Sequence, residues 1–177
     1  MPALAQPDVQ SARRTLVDVY QRIRKDSELI CAPLKTDDYC VQTMPDVSPA
    51  KWHLAHTSWF FETFILLPFL EHYRCFDSYY DHLFNTNYIT HGQPFSRPAR
   101  GLLSRPTVEQ IYRYRAAVDE AMQTLLANAA VTSRPQIEQL VILGMNHEQQ
   151  HQELMLTDLK HVFAQNPMRP RYRELAL

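Results

Sequence analysis

Two histidines near the end of the chain have the spacing of metal ligands. The string NHEQQHQEL places His147 and His151 four residues apart. On a helix, residues four apart lie on the same face about one turn from each other, so both imidazoles can bind a single ion. Both also fall on the apolar stripe of this segment, where an imidazole without a partner is costly to bury. We therefore interpret the pair as metal ligands rather than as hydrogen-bonded core histidines.

The same string also matches H-E-x-x-H, the helix motif of zinc metallopeptidases, in which the glutamate, here Glu148, would be the general base. Between the histidines stand Gln149 and Gln150, where such helices usually carry apolar residues. No strand-rich segment is apparent that would hold a peptide. A downstream ligand, Glu174, is available but follows a tail rich in proline and arginine. We therefore favour a different kind of metal site.

A third ligand is available in the string SPAKWHLAHTSWFFE, which contains His53 and His56. At three residues apart we expect the two side chains not to share one face with equal reach, so that only one of them binds. His56 follows Trp52 on one helical stripe, but this segment is apolar nearly all round and periodicity decides little. Glu62 is a further alternative, which would complete a site of two histidines and one carboxylate.

Four helices are predicted to position these side chains. Only three glycines occur in 177 residues, which is few for a protein of many tight β-turns. Apolar residues recur at helical spacing in residues 8–30, 48–67, 107–130 and 133–163. The last three segments carry N-cap signals, namely Ser48 before Pro49, Thr107 with Gln110, and Ser133 with Gln136. The fold class is therefore all-α, a four-helix bundle.

A long segment, residues 72–106, separates the second and third predicted helices and is called the crossover below. Its prolines and glycines cluster late, and it is rich in aromatic residues without steady periodicity. Loops of this length in a compact domain are usually functional or disordered. The aromatic residues favour an ordered crossover that packs over one end of the bundle.

Composition and charge narrow the function class. Lys and Arg total 18 against 19 for Asp and Glu, so no global bias favours nucleic acid or anionic lipid. The longest apolar run, residues 59–70, is shorter than the roughly 20 residues that span a bilayer, and the N-terminus shows no secretory signal. Cys31, Cys40 and Cys75 form no C-x-x-C pair, which argues against a thiolate zinc site. We expect a cytoplasmic protein that acts on small molecules.

Together these segments resemble the DinB-like N-terminal domain of ergothioneine sulfoxide synthases (EgtB). Members of that family are non-haem iron oxidoreductases that use O2 to join a cysteine-type thiol to the imidazole of trimethylhistidine (hercynine). The resemblance rests on SPAKWHLAHTSWFFETF, on the crossover from FDSYYDHLF through SRPARGLLSRPT, and on NHEQQHQELMLTDLKH. It implies a DinB-like bundle and a role in ergothioneine biosynthesis.

The resemblance also implies the site residues. It places the family's iron ligands on His56, His147 and His151, called the histidine triad below, with Fe(II) as cofactor. Zn or Ni could occupy the same site in the protein as purified. It further implies that Arg97 and Arg100 bind the carboxylate of the thiol substrate, since guanidinium groups bind carboxylates bidentately. The alternative is that these are two solvated arginines that hold the loop.

The chain departs from the family in length. Sulfoxide synthases are about twice as long, and a C-terminal domain resembling formylglycine-generating enzyme supplies the trimethylhistidine pocket and a tyrosine that acts in oxygen activation. We therefore expect a metal-binding bundle over residues 1–167 and the start of a linker to that missing domain over 168–177. A homodimer through the face that the missing domain would cover is a further expectation.

Two other functions stay open at this point. One is a stand-alone DinB-family thiol transferase or hydrolase that uses Zn(II) or Ni(II) and a bound water. The other is a non-catalytic domain that holds a metal or a partner.

Overall fold

Helices account for the regular structure of the described residues. The computed structural model describes residues 9–86 and 93–173, with side chains from residue 16 onward. Within these ranges there is no β-strand, which confirms the predicted all-α class. The six α-helices are α1 (Val9–Cys31), α2 (Ala50–Phe61), α3 (Leu67–Phe69), α4 (Tyr80–Phe84), α5 (Val108–Asn128) and α6 (Arg134–Gln165).

The four long predicted helices correspond to α1, α2 with its extension, α5 and α6. A π-helical turn, Glu62–Leu66, links α2 to α3, so the second predicted helix continues to Phe69. The capping box at α5 is present as predicted, because Thr107 Oγ1 accepts from the Gln110 amide and Gln110 Oε1 accepts from the Thr107 amide. The predicted cap at α2 is wrong. Pro49 is the N-cap residue, and the Ser48 hydroxyl instead accepts a hydrogen bond from Arg100.

α2 is the central helix of the bundle. It packs against α5 and α6, and α1 packs against α6. Every residue from Ala50 to Phe61 is buried. Burial on all sides explains why the apolar periodicity of this segment cannot select one inward face.

Gly144 permits the close contact of α6 with α2. A Cβ atom added there would lie 2.6 Å from Phe61 Cε1 and 3.0 Å from Phe60 Cε1. Such distances are shorter than real carbon contacts allow, so only a glycine fits between the two aromatic rings without a shift. The close contact lies one helical turn before His147 and therefore sets the separation of the histidines on the two helices.

The crossover is ordered in its described parts. It contains α4 and a 3₁₀ helix, Arg97–Leu102. Tyr80 and Phe84 of α4 belong to the hydrophobic core, as the aromatic content of the segment predicted. Residues 87–92 of the crossover and residues 174–177 of the predicted linker lie outside the described residues. None of the described helices is long and apolar enough to span a membrane.

Candidate metal centre

The histidine triad converges where α2 crosses α6. One ring nitrogen from each of His56, His147 and His151 lies within 4.8 Å of the other two. The ring centroids are 4.6–4.9 Å apart, and His56 Nε2 is 3.1 Å from His147 Nε2. This arrangement can hold a metal ion, because three imidazole nitrogens point into one small space.

The crossover fixes the orientation of His56. Its Nδ1 lies 2.5 Å from the carbonyl oxygen of Phe84, and its ring stacks on Trp52 at a centroid distance of 4.7 Å. A carbonyl oxygen only accepts, so the ring proton must be on Nδ1 and the lone pair of Nε2 faces the other two histidines. A metal ligand held by its second nitrogen in this way is typical of protein metal sites.

His147 has a ring nitrogen that the protein does not use. Its Nδ1 is buried and has no hydrogen-bond partner among the described residues. Its other ring nitrogen, Nε2, lies 3.1 Å from His56 Nε2, so Nε2 is the nitrogen that faces the other ligands. Three neutral imidazoles are ligands suited to iron, zinc and nickel. The three imidazole ligands therefore fit a divalent transition metal. Their chemistry does not distinguish iron, zinc and nickel.

The surroundings keep the triad in the neutral form. Burial lowers the pKa of all three imidazoles. The proximity of a second imidazole lowers the pKa of His56 and of His151 further, because two positive charges would repel each other at this distance. Neutral imidazole is the form that binds a metal, so the triad is ready to bind at neutral pH without first losing protons.

His53 also faces α6, which corrects the expectation that only one of the two α2 histidines does. Its Nδ1 is 2.9 Å from His151 Nδ1 and its Nε2 is 3.0 Å from Asp158 Oδ2. Residues three apart are neighbours on a helix surface, so His53 and His56 both lie against α6. Asp158 follows His151 on the same stripe of α6, and this was the sequence signal that could have revealed the contact.

Glu62, the alternative carboxylate ligand, is engaged elsewhere. Its Oε1 accepts hydrogen bonds from the Tyr73 hydroxyl and the Phe76 amide, both at 2.8 Å. Its Oε2 accepts one from the Tyr114 hydroxyl at 2.6 Å. These three bonds hold the carboxylate between the π-helical turn, the crossover and α5, and it is not grouped with the triad.

Glu148 is also turned away from the triad. Its carboxylate forms ion pairs with Arg24 at 2.8 Å and with Arg115 at 3.0 Å, and it accepts from the Ser27 hydroxyl at 2.7 Å. Burial alone would raise the pKa of Glu148, but the two guanidinium groups outweigh it and lower the pKa to about 2. A carboxylate held in this way cannot act as a general base at the triad, which argues against the peptidase interpretation. Glu174, the third ligand in that interpretation, lies outside the described residues.

A cavity adjoins the triad. Its volume is about 420 Å³, and its lining includes the three histidines and parts of the crossover, among them Phe95 and Ser96. Volumes of this order hold small organic ligands. The site is therefore a metal centre candidate with room for a substrate beside it.

Both arginines singled out from the sequence line this cavity. Arg100 is buried, lies 3.4 Å above the ring of Trp52 and donates to the Ser48 hydroxyl at 2.9 Å. Burial and the neighbouring charge of Arg97 lower the pKa of Arg100 to about 9. Arg97 is exposed and donates to the backbone carbonyl of Asp46. Arg97 therefore anchors the loop through this one bond and also lines the cavity, whereas Arg100 is buried.

A comparison with known protein families gives a match that includes the residues of this site. Residues 19–155 match a sequence model of the DinB superfamily. That span is more than half of the 177 residues and contains the histidine triad and both arginines. No curated protein matches the chain at a significant level.

Proposed function

This chain belongs to the DinB superfamily, and from that premise we propose that it is the iron-binding domain of a sulfoxide synthase in ergothioneine biosynthesis. The convergence of the histidine triad on a cavity that also contains two arginines is the observation that supports this proposal. Metal ligands and carboxylate-binding groups on one cavity suit a substrate that has both a thiol and a carboxylate.

The proposed reaction consumes one O2 for each product. A C–H bond of the trimethylhistidine imidazole and the S–H bond of a cysteine-type thiol break, and a C–S and an S–O bond form. One oxygen atom enters the sulfoxide and the other leaves as water, so the four electrons taken from the two substrates reduce O2 completely. Fe(II) bound by the triad would supply the redox chemistry and lower the pKa of the thiol.

The chain's own residues would bind and orient the thiol. The guanidinium groups of Arg97 and Arg100 stand on the crossover side of the cavity, and a carboxylate bound there would place the sulfur toward the triad. The indole ring of Trp52 lies between Arg100 and His56 and stacks on both. Positioning of this kind contributes to catalysis by fixing the reacting groups near each other.

Thiol binding tests the proposal directly. The chain loaded with Co(II) should bind cysteine or γ-glutamylcysteine with a thiolate-to-metal absorption band, and at least about tenfold more tightly than cysteamine, which lacks the carboxylate. Arg100→Gln should remove most of that preference. The matched control is Arg105→Gln, because Arg105 is exposed and does not line the cavity. Equal affinity for the three thiols would contradict the proposal.

Turnover tests the remaining part of the proposal. We expect the Fe(II)-loaded chain alone to form little sulfoxide from trimethylhistidine, thiol and O2, because the sulfoxide synthases that it resembles bind trimethylhistidine with a second domain. Addition of such a domain should increase product formation as measured by mass spectrometry. Rapid sulfoxide formation by the chain alone would contradict the claim that its substrate pocket is incomplete. Absence of product after the domain is added would contradict the proposed synthase function.

A stand-alone thiol transferase or hydrolase is the second candidate. The same cavity and arginines would accept a carboxylate-bearing thiol in a reaction without oxidation. Such an enzyme would work with Zn(II) or Ni(II) and without O2, so activity that survives in the strict absence of oxygen would favour it.

A further inference from the structure

A chain of hydrogen bonds leads from the triad to a carboxylate on α6. His151 Nδ1 lies 2.9 Å from His53 Nδ1, and His53 Nε2 lies 3.0 Å from Asp158 Oδ2. His53 is buried, with 3% of its surface exposed. The Asp158 oxygen also accepts from the Ser48 amide at 2.8 Å, which ties it to the residues just before α2.

The acceptor at the end of this chain fixes the direction of every bond in it. A carboxylate only accepts, so His53 carries its proton on Nε2 and offers the lone pair of Nδ1. His151 must then donate from its own Nδ1. Its Nε2 is left unprotonated, with a lone pair that is available to a metal. His53 has no nitrogen left over, since one of them donates to Asp158 and the other accepts from His151.

We propose that His53 is a positioning residue of the metal centre, which selects the metal-binding tautomer of His151 and holds its ring in place. The proposal rests on the proposed metal binding by the triad. His53 does for His151 what the Phe84 carbonyl does for His56, namely occupy Nδ1 so that Nε2 faces the ion. His147 has no such partner at Nδ1 among the described residues, so hydrogen bonds orient two of the three ligands and not the third.

Two substitutions at one position separate the hydrogen bond from simple packing. His53→Phe keeps a ring of similar size and removes the acceptor, whereas His53→Asn places an amide oxygen near the present Nδ1. With Zn(II) as the probe, we expect His53→Phe to bind about tenfold to a hundredfold more weakly than the wild type, which is the usual effect of losing such a partner. His53→Asn should retain most of the wild-type affinity.

Nitrogen-15 NMR of the metal-free protein provides a readout that packing alone does not change. The wild type and His53→Asn should show His151 protonated on Nδ1, and His53→Phe should show a mixture of the two tautomers. An unchanged tautomer together with wild-type Zn(II) affinity in His53→Phe would overturn the proposal. If His53→Phe does not fold, Asp158→Asn tests the same chain from its other end. The Zn(II) affinity of Asp158→Asn should fall severalfold. Wild-type affinity in this variant would contradict the role proposed for the chain of hydrogen bonds.

The number of metal-bound imidazoles distinguishes the remaining outcomes. X-ray absorption of the Zn(II)-loaded wild type and His53→Phe should indicate three imidazoles in both. A decrease from four to three would make His53 a ligand and overturn its positioning role. If the wild type itself binds no Zn(II), the proposed function fails and this inference fails with it. If only the role of His53 is wrong, the wild type binds Zn(II) and His53→Phe binds it equally well.

Discussion

Two adjacent side chains on α6, His147 and Glu148, lie in opposite environments. His147 is partly exposed at the cavity, whereas Glu148 is fully buried between α1 and α5. Arg24 of α1 donates to one carboxylate oxygen of Glu148, and Arg115 of α5 donates to the other. The buried ion pairs therefore hold the one rotation of α6 that directs its histidines toward α2.

Neutralising this carboxylate should destabilise the fold. Glu148→Gln leaves the buried Arg115 without a charge partner among the described residues and Arg24 with Asp119 alone. Breaking a buried ion pair on one side typically costs about 3–5 kcal/mol. Urea denaturation should show this loss. The matched control is Glu153→Gln, since Glu153 is exposed on the same helix and should change stability by no more than about 0.5 kcal/mol. Wild-type stability in Glu148→Gln would contradict the structural role of the pair.

Residue types and spacing predicted His147 and His151 as a pair of ligands, because ligand chemistry depends on side chains that the sequence displays directly. The choice of His56 over His53 and Glu62 came from the family resemblance and not from spacing. The partners of Glu148 could not be predicted in the same way. Arg24 and Arg115 are 124 and 33 residues away from it along the chain, so only the packing of three helices brings them together. The same limit applied to His53, whose role depends on how α2 crosses α6.

At the scale of elements, the approach of α6 to α2 depends on one glycine. Gly144→Ala would add a methyl group between Phe60 and Phe61, whose rings are almost fully buried. Overpacking of this kind costs about 1–3 kcal/mol, which should exceed the gain of about 1 kcal/mol in helix propensity from alanine. We expect lower thermal stability.

The same substitution should also weaken metal binding, since α6 carries two triad ligands and α2 carries the third. Zn(II) competition with a chelator would measure this. Gln149→Ala is the control, because Gln149 is exposed on α6 and its truncation should leave Zn(II) affinity unchanged. A stable Gly144→Ala protein with wild-type Zn(II) affinity would show that the close contact of α6 with α2 does not determine the geometry of the metal site.

The elements themselves differed in how far the sequence predicted them. The capping box at α5 and the extent of the long helices follow from local patterns that the structure confirms. α2 is buried on every side, so its pattern had no polar face from which a ligand direction could be inferred. The apolar periodicity of the sequence did not predict the π-helical turn Glu62–Leu66. Glu62, at its start, is bonded to Tyr73 and Phe76 of the crossover, contacts that no local pattern displays.

At the scale of the whole molecule, the metal-free protein should lose stability on mild acidification. Burial lowers the pKa of His53 and of each histidine in the triad. Below the ordinary histidine pKa of about 6.5, the unfolded chain therefore binds more protons than the native protein, so the free energy of unfolding decreases as the pH falls. The thermal midpoint of chelator-treated protein should decrease between about pH 7 and pH 5.

A second loss should follow at lower pH. The stability that Glu148 contributes is present above the ordinary glutamate pKa of about 4.3 and disappears as the pH falls toward its native pKa of about 2. Glu148→Gln should lack this second decrease and retain the first. His151→Phe should make the first decrease shallower, because one protonation site is removed. A thermal midpoint that is constant from about pH 7 to pH 5 would contradict the buried neutral histidines.

The most direct test of the account is the Fe(II) affinity of single-ligand variants, measured anaerobically by titration. His56→Ala, His147→Ala and His151→Ala should each lose Fe(II) binding while they remain folded by circular dichroism. His72→Asn, at an exposed position with a positive φ that asparagine tolerates, should bind as the wild type does. Retained Fe(II) binding in any of the three alanine variants, or no binding by the wild type, would contradict the histidine triad as the metal centre.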